Sequence, residues 1–363
     1  MIGAFKTEGK IDISLLVAFA LINALVLTNA CLHDPRIGYD AFSHRDYIQV
    51  LAQGHLPTSA ESDEFFSPPL PYVFPALLMA TAGMSVFKAM KMAQLLQALL
   101  SIGLIFFLIK ICRLISPRRM VALGAIIFVG ILPVYYKSFA FVRGEPYVAF
   151  FAVVAIYYFL RIFLQNEFTW PNIVAAGCAA GGAMLSRQWG VLLLPALGLF
   201  GAVEWFGRSR HRLSIFKATT MILTIAIAAS AWFYVGLKQK FGSATAFNRQ
   251  RTATFSFSNQ PRSFYFGVAP DLLFSKPVRP SFANELIPIF YSEVWGDYWC
   301  FFGVFGKDSR SADDLRMSGP WLSQFEVWNE IPPWMVTNYS AMGAYLGRVN
   351  VVSIFPSLLP WLH

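Results

Sequence analysis

The chain has 363 residues, 56% of them apolar and only 13% charged, with a net charge of +9 at pH 7. An average soluble domain carries about 25% charged residues, so this composition excludes a soluble globular enzyme, a disordered chain and a disulfide scaffold, and leaves a polytopic membrane protein whose surface lipid solvates. Cys31, Cys112, Cys178 and Cys300 stand far apart with no CxxC pair, which argues against zinc knuckles and redox motifs; Cys112 and Cys178, in apolar runs, read as packing residues.

The first charge-free run, residues 13–30, is long enough to cross about 30 Å of hydrocarbon at about 1.5 Å per residue. At its end, Leu27-Thr28-Asn29-Ala30-Cys31 resembles a lipoprotein cleavage site, but its leucine stands one place too far from the cysteine and Asn29 is bulky, so the run reads as a retained span. The loop after it holds three of the five histidines and six carboxylates, Asp34, Asp40, Asp46, Glu61, Asp63 and Glu64. Two interfacial helices are expected in this loop, roughly residues 41–53 and 70–86, with Phe42, Ile48 and Leu51 of the first facing lipid. Asp40 immediately precedes the first helix, where it reads both as an N-cap and as a carboxylate at the membrane surface, placed to act on a lipid headgroup. His44 lies four residues on, on the same helical face. Asp40 and His44 make half of a metal site; without further ligands no cofactor is assigned, and a divalent metal stays open.

Residues 67–87 form an apolar run with four prolines in its first half, and the distribution of Lys and Arg decides whether it spans. If it does not, seven spans precede Lys238: residues 13–30, 92–109, 120–136, 147–164 with Arg161 snorkelling, two from a hairpin over 173–203, and 218–237. The short cytoplasmic segments then hold Lys6, Lys10, Lys110, Arg113, Arg118, Arg119, Arg161, Arg208, Arg210, Arg212 and Lys217; the flipped arrangement exports most of them, against the positive-inside rule. The expected organisation is therefore a transmembrane module over 1–237, with an external loop at 31–91, an extracytoplasmic loop region over 238–348, and a further apolar segment from 349. Residues 351–363 stop inside an apolar run, so either the chain closes with a short interfacial helix or the sequence is a piece of a longer protein.

This topology gathers the scarce acids on one face. Glu145 precedes Pro146 at the start of a span, where a carboxylate favours the helix N-terminus; as a functional group it is a second acid opposite Asp40. Arg143, and Arg187 in the polar turn Ser186-Arg187-Gln188-Trp189-Gly190, either pair with it or bind phosphate. In the late loop, Glu285, Glu293 and Asp297 stand among Tyr291, Trp295, Tyr298 and Trp299, a composition that suits sugar binding and equally an interfacial aromatic belt.

Asp40, His44, Tyr47, Gly54-His55-Leu56-Pro57 and Pro68-Pro69-Leu70-Pro71-Tyr72, followed by Arg143 with Glu145 and the glycine-rich stretch ending at Arg187, resemble the GT-C superfamily of integral membrane glycosyltransferases, which includes protein O-mannosyltransferases and the lipid A aminoarabinose transferase. The resemblance covers about residues 10–240. Where many relatives carry Asp-Glu, Ala41 follows Asp40 here, which weakens a metal role taken from the paired acids; Pro71 before Tyr72 is also unusual. The resemblance implies an all-α, GT-C-type helical bundle that transfers a sugar from a polyprenyl-phosphate-linked donor to a lipid, glycan or protein acceptor at the extracytoplasmic face of a membrane such as the bacterial inner membrane. Asp40 is then the general base and Glu145 a second catalytic acid, with His44, Tyr47, Tyr72, Arg143, Arg187, Glu293 and Asp297 binding substrate. Membrane lipids are partners and nucleic acid is not. A flippase for a lipid-linked sugar and a non-catalytic scaffold are the competing classes; the few polar groups within the spans, Asn23, Gln94 and Gln97, speak against translocation.

Overall fold

A computed structural model of the chain describes residues 5–7, 10–36, 40–207, 211–245, 260–268, 270–275, 285–297 and 347–358. The chain divides into two compact units, Met1–Pro35 with Ser43–Gly130 and Ser138–Asn248, and Arg36–Phe42 with Ile131–Lys137 and Arg249–His363. A two-residue β-hairpin, Lys6–Thr7 against Lys10–Ile11, precedes the helices.

The first unit holds α1 (Ile13–Leu32), most of α2 (Ala41–Ala52), α3 (Leu70–Ala82), α4 (Val86–Ile115), α5 (Arg119–Ile131), α7 (Glu145–Leu164), α8 (Trp170–Met184), a 3-10 turn (Gln188–Leu192) leading into α9 (Leu193–Gly207), and α10 (Arg212–Phe241). Among the described residues five helical segments are long and apolar enough to cross a membrane: Ile13–Leu32, Val86–Ile115, Glu145–Leu164, Gln188–Gly207 and Arg212–Phe241. At 13 residues α3 rises only about 20 Å, short of the hydrocarbon thickness; Gly83, at φ 62, ends it in the left-handed conformation that glycine adopts without cost. The run 120–136 is not one helix. It breaks after Ile131, and Pro133 opens α6 (Pro133–Ser138), because proline has no N–H for the preceding turn and its ring clashes with it. Ser85 stands at the N-cap of α4 with extended backbone.

In this unit α4 packs between α1 and α7, α8 between α7 and α10, and α9 against α10, while α3 lies on α4. Small residues set the spacing around α8. A Cβ on Gly177 would stand 2.7 Å from Cβ of Ile225, and one on Gly181 2.9 Å from that of Ala229, so α8 and α10 approach backbone to backbone, as in membrane helix pairs held by van der Waals contact. The helix ends are tied by charge. Asp12 accepts the Leu15 N–H at 3.1 Å as the N-cap of α1 and meets Arg119 at 3.0 Å, joining the starts of α1 and α5. At the opposite end of α1, Lys91 of α4 donates to the carbonyls of Ala30, Cys31 and His33, capping a C-terminus where cations are favourable.

Two packing expectations are corrected. Ile48 is fully buried and Leu51 half-buried, both packed with Tyr47, Tyr72, Met90 and Val142: the apolar side of α2 faces α3 and α4, not lipid, because Tyr72 and Met90 offer it a protein surface. Cys112 is buried as expected, whereas Cys178 is exposed on α8, where the glycine and alanine face has taken the helix contacts.

The second unit contains α6, α11 (Arg262–Phe266), α12 (Pro270–Ser275), α13 (Leu286–Ser292), a π-helix (Glu293–Asp297) and, near the end, α14 (Ile354–Leu358). Buried Asn350 donates to the Leu273 carbonyl at 2.9 Å and to Ser292 Oγ at 3.1 Å, and Tyr291 donates to the Asn350 carbonyl at 3.0 Å. Tyr298, Trp299, Arg208, Arg210 and the side chain of Asp297 lie outside the described residues.

Candidate active site

The polar centre of the first unit is built where α7 begins and α8 ends. Arg187, in the turn after α8, directs Nε and Nη2 to one oxygen of Glu145, Oε1, at 3.0 and 2.8 Å. Its Nη1 reaches Glu64 Oε2 at 3.1 Å and Ser67 Oγ at 3.0 Å, and Ser67 Oγ in turn donates to Glu64 Oε2. Burial works against the charge on Arg187, but Glu145 and Glu64 outweigh it and hold the guanidinium firmly protonated. Gly144 makes the arrangement possible: a Cβ there would lie 2.2 Å from the Ser186 carbonyl oxygen and 2.7 Å from Arg187 Cγ. The loop 62–70 is fastened to the same place, with Gln188 donating to the Phe66 carbonyl at 2.8 Å and the Leu70 N–H to the Leu185 carbonyl at 3.1 Å.

Beside this cluster α2 and α3 stack three rings. Tyr47 and Tyr72 lie with centroids 4.2 Å apart, and His44 stacks on Tyr72 at 5.6 Å while its Nδ1 meets the Tyr72 hydroxyl at 2.8 Å. Tyr47 donates to the Ser67 carbonyl at 2.9 Å. His44 is 1% exposed. Burial first, then the positive charges of Arg143 and Arg187, hold its pKa well below 6.5 against the opposing pull of Glu145, so the imidazole is neutral. Burial, then the charge of Glu64, pushes both tyrosine hydroxyls far above their usual range. From α4, Gln94 and Gln97 donate to the carbonyls of Ala140 and Arg143 at 2.6 and 3.0 Å. Arg143 is itself buried, over the ring of Phe141 at 5.1 Å. Glu145 Oε2, His44 Nε2 and the Tyr147 hydroxyl are buried without a hydrogen-bond partner among the described residues.

The structure thus brings Glu145, Arg187, His44, Tyr47, Tyr72 and Arg143 into one unit and pairs Arg187 with Glu145. Asp40 belongs to the second unit and directly precedes α2; half-buried, it has φ 57. The extended backbone usual at an N-cap is therefore not adopted; aspartate is among the few residues that tolerate the left-handed region, at a cost of about 1 kcal/mol. Glu293 opens the π-helix of the second unit and is half-buried. Among the described residues no three His, Cys, Asp or Glu side chains converge as metal ligands. Glu64 and Ser67 were not singled out by sequence reasoning as site residues. The signal for Glu64 was a carboxylate set directly against Phe65-Phe66 and two prolines, an apolar neighbourhood in which a charge needs a partner.

Among the described residues, apart from the short N-terminal hairpin, fold and site define a helical membrane protein with apolar helices around a largely enclosed ionic cluster. The profile of the family described as dolichyl-phosphate-mannose-protein mannosyltransferase matches residues 67–234, from Ser67 through Tyr72, Arg143, Glu145 and Arg187 into α10. Over that stretch, a little under half of the chain, the sequence is similar to this family. No curated protein matches the chain.

Proposed function

We propose that the protein transfers a sugar from a polyprenyl-phosphate donor to an acceptor hydroxyl at the extracytoplasmic membrane face, in a bacterial inner or plasma membrane, with Asp40 as general base. The observation that carries this reading is the partly buried Arg187–Glu145 pair, inside the segment that matches the mannosyltransferase profile; ionisable groups enclosed among membrane helices mark functional sites. The isoprenoid tail of the donor stays in lipid while its phosphosugar meets the acceptor at the interface. The acceptor O–H gives its proton to Asp40, its oxygen bonds to the anomeric carbon, and the bond from that carbon to the phosphate oxygen breaks, the electron pair leaving with the polyprenyl phosphate. Arg143 and Arg187 provide positive potential for that growing charge, and Glu145 orients the acceptor. His44, Tyr47 and Tyr72 line or support the substrate site, and Glu293 and Asp297 bind sugar hydroxyls. Purified protein in detergent should consume radiolabelled polyprenyl-phosphate sugar and form a glycosylated acceptor. A flippase would act only across a sealed bilayer and a scaffold would do neither, so movement of the lipid-linked sugar in sealed vesicles without consumption in detergent overturns the proposal.

A further inference from the structure

Arginine and carboxylate normally pair as two forks, two N–H groups on two oxygens. Arg187 departs from this. Both N–H groups aimed at Glu145 fall on the single oxygen Oε1, and Nη1 is drawn away to Glu64 and Ser67. Glu145 Oε2 is left buried with no hydrogen-bond partner among the described residues, as is His44 Nε2, on a side chain 1% exposed that senses the charges of Arg143, Arg187 and Glu145. Four of the five guanidinium N–H groups are thereby committed to protein, and on Glu145 the second carboxylate oxygen remains for a ligand.

We propose that Glu64, with Ser67, is a positioning residue that splints Arg187 so that Glu145 keeps Oε2 open as an acceptor for a hydroxyl of the sugar substrate. The inference rests on the glycosyltransferase reading and deepens it: besides orienting the acceptor, Glu145 holds a hydroxyl of the donor sugar through Oε2. Without the Glu64 charge, Arg187 is free to rotate into the two-fork pairing and cover Oε2. Glu64→Gln keeps the shape and an oxygen for Arg187 while removing the charge.

The test is binding of short-chain polyprenyl-phosphate sugars to purified wild type and Glu64→Gln in detergent, by calorimetry, with a series of donors each lacking one sugar hydroxyl and with the sugar-free polyprenyl phosphate as reference. In wild type, removing the hydroxyl that Oε2 accepts should weaken binding roughly tenfold or more, because a site built around a hydroxyl is then left unpaired. In Glu64→Gln the same removal should cost little, while the sugar-free lipid, whose anionic phosphate loses a repelling carboxylate beside Arg187, binds at least as tightly as to wild type. A merely structural role would lower affinity for every ligand alike and leave the deoxy penalty intact; that result overturns the inference and spares the reading it rests on. Wild type that binds none of the sugar lipids overturns both. If Glu64→Gln does not fold, Ser67→Ala, which removes only one of the two contacts to Nη1, should reduce the deoxy penalty in the same direction, and an unchanged penalty there refutes the splint.

Discussion

At the scale of single residues the cluster is a set of charges that cannot be removed one at a time without consequence. A lone ionised group among apolar helices is costly, and breaking a buried ion pair typically costs about 3–5 kcal/mol. Part of this was legible in the sequence: an arginine in a polar turn between apolar runs and a glutamate before Pro146 already pointed to a pair. Glu64 was not, since its link to Arg187 joins residues 123 apart and depends on where the loop 62–70 docks. His44 gives a pH signature. Its native pKa lies well below 6.5, held there by burial and by Arg143 and Arg187 with Glu145 opposing and Tyr72 as hydrogen-bond partner. The unfolded chain therefore binds a proton below about pH 6.5 that the native state does not, and stability falls as pH drops through that value, by up to about 1.4 kcal/mol per unit. Thermal unfolding in detergent between pH 7.5 and 5 should show this loss, and His44→Gln should flatten the slope over that window; an unchanged slope would mean that His44 titrates normally.

Among the elements, the glycines at the helix junctions decide whether the site exists. Gly144 has φ −80, which any residue adopts, so Gly144→Ala introduces no backbone strain, only a Cβ 2.2 Å from the Ser186 carbonyl oxygen. It should push the Arg187 turn off Glu145, lowering the melting temperature and reducing transfer at least tenfold, whereas Gly236→Ala, inside α10 with nothing within 4 Å, should leave transfer unchanged and not lower the melting temperature. Equal behaviour of the two variants would contradict this. Hydropathy located helices at each apolar run and the hairpin around Arg187, because the membrane imposes length and charge limits on every span. It missed the break at Pro133, since a proline lowers hydropathy little while stopping a helix. It also placed the apolar side of α2 in lipid, because amphipathicity alone does not distinguish a lipid surface from Tyr72 and Met90.

Across the whole molecule, topology and chemistry are linked by where the charges lie. The basic residues Arg119, Arg161 and Arg212 fall at the helix ends opposite to the cluster of Glu64, Glu145 and Arg187. If the positive-inside rule sets orientation, a periplasmic reporter fused after Gly54 should be active and one fused after Gly207 inactive; the reverse pattern would put the cluster in the cytoplasm and end the extracytoplasmic reading. The most direct measurement is transfer of radiolabelled sugar from a polyprenyl-phosphate donor by purified wild type and Asp40→Asn. Asparagine has nearly the same shape and also tolerates the left-handed backbone of residue 40, so folding should be retained. Wild type should transfer sugar and Asp40→Asn should lose activity by about 10²–10⁴-fold, as expected when a general base is removed. Wild-type turnover by a folded Asp40→Asn protein would contradict this.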